Sequence, residues 1–281
     1  MSKIIVLYHG NCPDGFGGAY AAWKKFGDSA EYVALHRDTP MPTGLAGNDL
    51  IFVDFCYEKS VMDKLLQEAN SLVVLDHHEG VEDVIRAMPT YVYDANRSGA
   101  SIAWNYFHPD TPLPYFLKIV EQVDLYRKIT DDDRALMRYA YAQPKTFGVW
   151  DDLTNRIEDL SERALMVERG RAYAEYFNLL TEELAQHGTL VSFEGYTCYL
   201  VEAPKMFTTD VGKKLANDEH PLTLIVHARA DSVRVSMRGN GKIDLTKIAQ
   251  KYGGNGHPDA AAFSIPWNSP LPWKAIGPIS S

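Results

Sequence analysis

The chain is poor in cysteine, in basic charge and in long apolar runs, and each shortage removes a class of protein. Three cysteines, Cys12, Cys56 and Cys198, show no pairing pattern, which argues against a disulfide-stapled scaffold and fits a reducing cytosol. Twenty-eight Lys and Arg stand against 37 Asp and Glu, a formal charge of -9, so a broad basic surface for long nucleic acid is not expected. Aromatic-rich basic tracts that would follow a long single strand are missing as well. No uninterrupted apolar stretch approaches the roughly 18 residues of a membrane span. The apolar run in MSKIIVLYHG is too short for a signal peptide. A cytoplasmic chain without a membrane partner is the expectation. What is present is ordinary globular composition, 46% hydrophobic and 23% charged over 281 residues, with room for two domains.

The most informative stretch is Leu72-Val73-Val74-Leu75-Asp76-His77-His78-Glu79-Gly80. An apolar run of strand length stops abruptly at an acid and two histidines. In an open parallel α/β sheet, ligands bind outside the carboxyl ends of the strands. Asp76, His77 and His78 therefore stand where a metal would be held. A lone Asp after a strand often caps the next helix, and a lone His is more often a satisfied polar residue. The adjacent triplet places several potential ligands in one small volume, which favours the functional reading.

The surrounding pattern predicts βα units. A strand over 3–8 runs into His9-Gly10-Asn11-Cys12-Pro13-Asp14-Gly15, and a helix over 16–26 follows. Strands over 31–35 and 50–53 come next, the second ending at Asp54. A helix over 58–69, the strand over 72–75 and a strand over 90–93 continue the alternation. The loop Asp94-Ala95-Asn96-Arg97-Ser98-Gly99-Ala100 offers a helix start, an Arg and a Ser hydroxyl suited to a phosphate. Taken alone, that loop reads more simply as a helix capped by Ser98. Asp124 follows an apolar helical stretch, where burial is costly without a cation or donors. Asp131-Asp132-Asp133 reads as a solvated turn or helix cap. The expected fold class is α/β: a parallel-sheet domain over 1–150, a helical connector over 151–187, and a smaller α/β domain with a mixed sheet over 188–281.

In that last region, hairpins are expected over 189–201 and 222–237, with helices over 209–217 and 245–252. Arg234, Ser236 and Arg238 alternate with apolar residues and so share one face. Gly253-Gly254-Asn255-Gly256-His257 is glycine-rich enough for a backbone to approach an anion closely. The tail, with Pro266, Pro270, Pro272 and Pro278, reads as an irregular closing segment.

His9, Asp14, Asp54, Asp76, His77 and Asp124 come from several segments of the chain, and carboxylates with imidazole favour Mn²⁺ or Mg²⁺ over a thiolate site. A pair of such ions could polarise a phosphoryl group and generate hydroxide from bound water. Together the Asp76-His77-His78 triplet, the His9…Asp14-Gly15 loop, Asp54, Asp124 and the 253–257 loop resemble the DHH phosphoesterase superfamily. The resemblance spans nearly the whole chain: a DHH domain, a helical connector and a DHH-associated C-terminal domain.

That resemblance implies a Mn²⁺-dependent phosphohydrolase of two ions, or Mg²⁺ or another divalent ion, with its site in the cleft between domains. It makes His9, Asp14, Asp54, His77 and Asp124 metal ligands, Asp54 being shared. Asp76 would orient His77, His78 would face the scissile phosphate, and a metal-bound hydroxide would attack without a covalent protein intermediate. Arg97 and Ser98, together with Ser236, Arg238, Gly254, Asn255, Gly256 and His257, would hold the substrate. One departure stands out: Cys12 occupies the place of an aspartate that many members carry two residues before Asp14. Cys is a poor ligand for a hard cation, so one position would be weaker, be completed by water or Asn11, or prefer a softer ion.

The function expected is 3′ to 5′ hydrolysis of short oligoribonucleotides. Alternatives are hydrolysis of cyclic dinucleotides or of 3′-phosphoadenosine 5′-phosphate, and a non-catalytic nucleotide-binding protein. Pyrophosphate and polyphosphate fit less well, since the C-terminal loop is of the type associated with nucleotide substrates. Monomer and homodimer are both compatible with the sequence.

Overall fold

The computed structural model describes residues 2–10, 12–36 and 41–276. Asn11 and Pro278 lie outside them. Strands β1 (Ile4–His9), β2 (Ala30–Leu35), β3 (Asp49–Val53), β4 (Ser71–Asp76) and β5 (Tyr91–Tyr93) form a sheet of order β2-β1-β3-β4-β5. Every neighbouring pair in it is parallel. The helices of this region are α1 (Pro13–Phe26), α2 (Lys59–Glu68), α3 (Glu82–Arg86), α4 (Gly99–Phe107), α5 (Tyr115–Asp124), α6 (Asp131–Tyr141), α7 (Phe147–Glu158) and α8 (Leu160–Gln186).

The strands read as continuous apolar runs because both sheet faces are covered. Val6, Ile51, Val53 and Leu75 pack into one core with Phe16, Ala103, Phe116 and Trp150 from α1, α4, α5 and α7. The alternate residues Ile5, Leu7, Leu50, Phe52 and Val74 join Met62, Leu65 and Ile85 from α2 and α3 in a second core. Strand order reverses between β1 and β3, which makes the crevice beyond their carboxyl ends the topological switch point.

Helix α1 begins at Pro13, earlier than the sequence pattern predicts. Proline at the first helical position has its φ already set and no N–H to leave unpaired. Asp14 consequently sits in the first turn of a helix and not in a loop. The chain divides into two compact units, Met1–Tyr173 and Ala174–Ser281, and the division falls inside α8.

The second unit is a mixed sheet of order β10-β11-β9-β8-β7-β6-β12. Its strands are β6 (Thr189–Phe193), β7 (Tyr196–Glu202), β8 (Leu222–Ala228), β9 (Ser232–Gly239), β10 (Asn255–His257), β11 (Ala260–Pro266) and β12 (Lys274–Ala275), with helices α9 (Thr208–Leu215) and α10 (Leu245–Lys251). Only β7 and β8 pair in parallel; the other ladders are antiparallel. Two expectations change here. The glycine-rich segment is not a free loop: Asn255–His257 pairs with β11. Its glycines permit that approach, since a Cβ at Gly254 would lie 2.2 Å from the Ala262 carbonyl oxygen and one at Gly256 2.4 Å from Ala261 Cα. The tail is not wholly irregular either, because Lys274–Ala275 adds a short strand to the β6 edge. Among the described residues, no helix is long and apolar enough to cross a membrane.

Candidate metal centre

Three strand ends supply the centre. β1 stops at His9, β3 runs into Asp54, and β4 stops at Asp76, followed by His77 and His78. Asp54 takes a left-handed backbone conformation, φ 55, which Asp tolerates better than most residues. Its N–H still donates to the Leu75 carbonyl at 2.9 Å, so the chain turns away while remaining tied to β4. His77 Nε2 lies 3.2 Å from Asp54 Oδ1, 3.4 Å from Asp124 Oδ2 and 3.7 Å from Asp14 Oδ2. His9 Nδ1 is 3.4 Å from Asp54 Oδ2.

Asp14 reaches this point through a helix-to-helix clamp. Its Oδ2 accepts from the Gly99 N–H at 2.6 Å and its Oδ1 from the Ala100 N–H at 2.9 Å, at the start of α4. The anion at that helix N-terminus is thus this chain's own carboxylate, at a helix start whose sequence suits a phosphate but reads more simply as a Ser98 cap. Ser98 is fully buried, and its hydroxyl accepts from Ser101 N–H as the N-cap of α4. The structure therefore removes Ser98 from the substrate surface. Arg97 keeps a different commitment: its Nε donates to Glu121 Oε2 at 2.7 Å, and Ser98 N–H reaches the same oxygen at 3.2 Å.

Glu121 escaped the sequence reading. It lies one turn before Asp124 on α5, between the buried Ile119 and Val120 and the helix end, and is itself buried. An acid placed among the apolar positions of an amphipathic helix was the available signal.

The donors fit a divalent cation. Both oxygens of Asp54 and Nε2 of His77 are buried and have no hydrogen-bond partner, although they lie close together. Unpaired buried polar atoms are rare in folded proteins and need a reason. His9, Cys12 and Asp54 form one group whose donor atoms lie within 4.8 Å of one another; Asp14, His77 and Asp124 form a second. Asp54 also groups with Asp76, His77 and His78, which links the two. Oxygen and nitrogen donors dominate, the set that suits Mn²⁺ or Mg²⁺.

The electrostatics agree with a site built for added positive charge. Burial, with Asp54 and Asp124 nearby, pushes the Asp14 carboxyl well above its ordinary range. Burial and Asp54 raise Asp124 as well. Burial also works to raise Asp54, but His77 and His9 outweigh it and hold this carboxyl below the usual value. The close approach of the Asp54 carboxylate, followed by Cys12, pushes His9 up to about 10. Burial works to lower His77, yet Asp54, Asp14 and Asp124 push it up to about 9.

In the second unit, cross-strand register gathers a polar face. Asn255 pairs with Ala262 and Ala262 with Ser236; His257 pairs with Ala260 and Ala260 with Arg238. Directly paired residues and those two apart share a face, so Asn255, His257, Ser236 and Arg238 surround a floor of two alanines. The Arg238 guanidinium is partly engaged: Nη1 donates to the Met237 carbonyl at 2.9 Å and Nη2 to Thr209 Oγ1 at 3.2 Å.

Residues 203–270, which hold most of that face, match the DHHA1 domain. That match supports the resemblance to the DHH phosphoesterase superfamily. Members of the superfamily are metal-dependent phosphoesterases. Among solved structures, the pGpG-specific phosphodiesterase PggH of Vibrio cholerae is 14% identical, with 95% of this chain and 94% of that one covered and a TM-score of 0.51. An exopolyphosphatase-related protein from Bacteroides fragilis is 14% identical over 96% of this chain and 88% of that one, at a TM-score of 0.52. The DHH domain of a member of a ribosomal protein family is 13% identical over 94% and 82% of the two chains, at 0.59. These likenesses are likenesses of fold. An uncharacterized protein of Acanthamoeba polyphaga mimivirus is 23% identical over 287 residues, 93% of this chain and 67% of the viral one.

Within the DHH triplet itself, the structure corrects one assignment. Asp76 Oδ1 meets the ring of His78, Nδ1 at 2.7 Å, and not the ring of His77; from His77 it accepts only the backbone N–H, at 2.7 Å. The two imidazoles still lie side by side, ring centroids 4.6 Å apart, and both face Asp54 Oδ1, His77 through Nε2 at 3.2 Å and His78 through Nδ1 at 3.7 Å.

Proposed function

We propose that this DHH protein is a divalent-cation-dependent phosphodiesterase that hydrolyses short oligoribonucleotides from the 3′ end. The observation that carries this reading is the pair of donor groups joined at Asp54 and His77, beyond the carboxyl ends of β1, β3 and β4. The DHHA1 match supports it, and so does the dinucleotide substrate in the name of PggH, which shares the fold.

His9 and Cys12 would hold one cation and Asp14, His77 and Asp124 a second, with Asp54 shared. Mn²⁺ or Mg²⁺ so held would polarise a phosphoryl group and acidify bound water. The protein's own part is positional. His78, its Nδ1 committed to Asp76, has Nε2 left for a phosphate oxygen. Arg97, fixed at Nε by Glu121, supplies a cationic fork to a non-bridging oxygen. Ser236, Arg238, Gly254, Asn255, Gly256 and His257 are the residues we assign to the terminal nucleotide.

The test is hydrolysis of a 5′-labelled RNA ladder, from dinucleotide to about ten residues, with Mn²⁺, Mg²⁺ or chelator. Rapid Mn²⁺-dependent loss of the shortest RNAs, absent in His77→Ala, is expected. Turnover only of cyclic dinucleotides or of 3′-phosphoadenosine 5′-phosphate would replace the substrate. Cys12, a soft donor within the first group, favours a second reading, a nucleotide-binding protein without turnover. Binding without hydrolysis under any metal would select it.

A further inference from the structure

The end of α5 carries a side chain that its own backbone disfavours. Beyond Asp124 the helix closes through Leu125 into Tyr126, at φ 53. Tyr126 N–H donates to the Val123 carbonyl at 3.2 Å and Arg127 N–H to the Gln122 carbonyl at 2.8 Å. These two bonds are those of a Schellman closure, with Tyr126 at the left-handed position where glycine or asparagine is usual. A bulky residue there is an outlier, because its Cβ crowds the following carbonyl.

Burial offers no compensation. Tyr126 is 97% exposed, more than any other large hydrophobic residue among those described. Neither helix closure nor a core accounts for the ring. Its backbone is nonetheless well held: the closure bonds fix it, and Arg127 Nη2 donates to the Asn96 carbonyl at 2.7 Å, tying the turn to the loop that precedes Arg97. Asp124, whose Oδ2 lies 3.4 Å from His77 Nε2, is two residues back. Two Cα steps keep the backbone of Tyr126 within about 8 Å of that of Asp124.

We infer that Tyr126 is a stacking platform for the nucleobase next to the hydrolysed phosphodiester, so that the substrate class is set by a base as well as by a phosphate. This rests on the phosphodiesterase reading above. An exposed aromatic ring on a firmly held backbone, two residues from a carboxylate of the metal centre, suits a planar base. Stacking tolerates every base, since each has a π-face, and needs no set of hydrogen-bond donors around it. Pyrophosphate and polyphosphate have nothing to stack, so for them the ring would be idle.

The experiment compares a diribonucleotide with its abasic analogue, the same sugar–phosphate chain lacking both bases, on the full-length protein with Mn²⁺. Tyr126→Asn should keep or raise the melting temperature, because Asn accepts the left-handed position. It should also lower the ratio of kcat/KM for the two substrates by about 5- to 150-fold, mainly through KM. Tyr126→Trp should restore the ratio. Equal losses on both substrates, or no loss on either, would overturn the platform. If the wild type hydrolyses neither, calorimetric binding of the same pair with Ca²⁺ separates the two claims. A base-dependent affinity that Tyr126→Asn abolishes keeps the platform and rejects the hydrolase; an affinity indifferent to the bases rejects the platform as well.

Discussion

His78 Nδ1 lies 2.7 Å from Oδ1 of the fully buried Asp76, an oxygen that also faces the backbone N–H groups of His77 at 2.7 Å and His78 at 3.2 Å. One carboxylate oxygen thus sets both the path of the chain through the triplet and the orientation of one imidazole. In Asp76→Asn the amide oxygen can keep the backbone bonds, but it is a weaker partner for the ring. The fold is therefore expected to survive while kcat falls roughly 10- to 100-fold, as for other residues that orient the groups around a metal. Thermal melting and steady-state kinetics at saturating Mn²⁺ check this; an unchanged kcat would remove His78 from the chemistry.

The raised values of His9 and His77, about 10 and about 9, bear on metal binding. Without a cation both rings hold a proton at neutral pH, and a nitrogen must give up its proton to become a ligand. Binding of Mn²⁺ at pH 7.5 should release on the order of one to two protons, and affinity should climb with pH up to about 9–10. Calorimetry in buffers of different ionisation enthalpy measures the release directly. The stability sign follows from the same shifts. A raised folded value contributes stability that is complete below the ordinary value of 6.5 and is lost as pH rises through about 9 and 10. The metal-free protein should melt at progressively lower temperature from pH 7 to pH 10, and saturating Mn²⁺ should flatten that fall. A flat metal-free profile with no proton release would contradict the reading.

The strand ends were legible in the sequence because apolar runs there break off at His9, Asp54 and Asp76, and a parallel sheet places such ends on one edge. What the sequence did not show needs three dimensions. Asp14 finds Gly99 and Ala100, 85 and 86 positions away, and no local pattern announces that pairing. Glu121 looks like an ordinary helical acid until Arg97 and Ser98 are seen around it. Gly254 and Gly256 signal a loop by composition, yet here glycine serves the close approach of one strand to another. The polar face of the second unit was half legible: period two put Ser236 and Arg238 together, but only the register adds Asn255 and His257.

Gly99 shows how little room the centre leaves. A Cβ built there would stand 2.5 Å from Asp54 Cβ and 3.0 Å from Asp14 Oδ2. Gly99→Ala must push the start of α4 away from both carboxylates, at a cost of about 1–3 kcal/mol, typical of overpacking. Gly80, close to the triplet in sequence but with nothing within 4 Å of its Cβ position, is the control. Weaker Mn²⁺ binding and a lower melting temperature are expected for Gly99→Ala, and neither for Gly80→Ala. Equal behaviour of the two variants would show that the clamp between α1 and α4 does not set the spacing of the ligands.

Cys12 distinguishes the two halves of the centre. It groups with His9 and Asp54, whereas Asp14, His77 and Asp124 offer only oxygen and nitrogen. A sulfur donor suits a softer ion, and a hard cation is better served by a carboxylate. In the unaltered protein, Mn²⁺ should therefore bind in two steps of unequal affinity, the weaker at the Cys12 side. Cys12→Asp should strengthen that step selectively and leave the other nearly as it was, while Zn²⁺ or Cd²⁺ should lose affinity at the altered position. Calorimetric titration with each metal, and electron paramagnetic resonance counting of bound Mn²⁺, read the two steps separately. Two equal Mn²⁺ sites in the unaltered protein, or strengthening of both steps in Cys12→Asp, would mean that Cys12 is not a ligand and that the first group is completed from elsewhere.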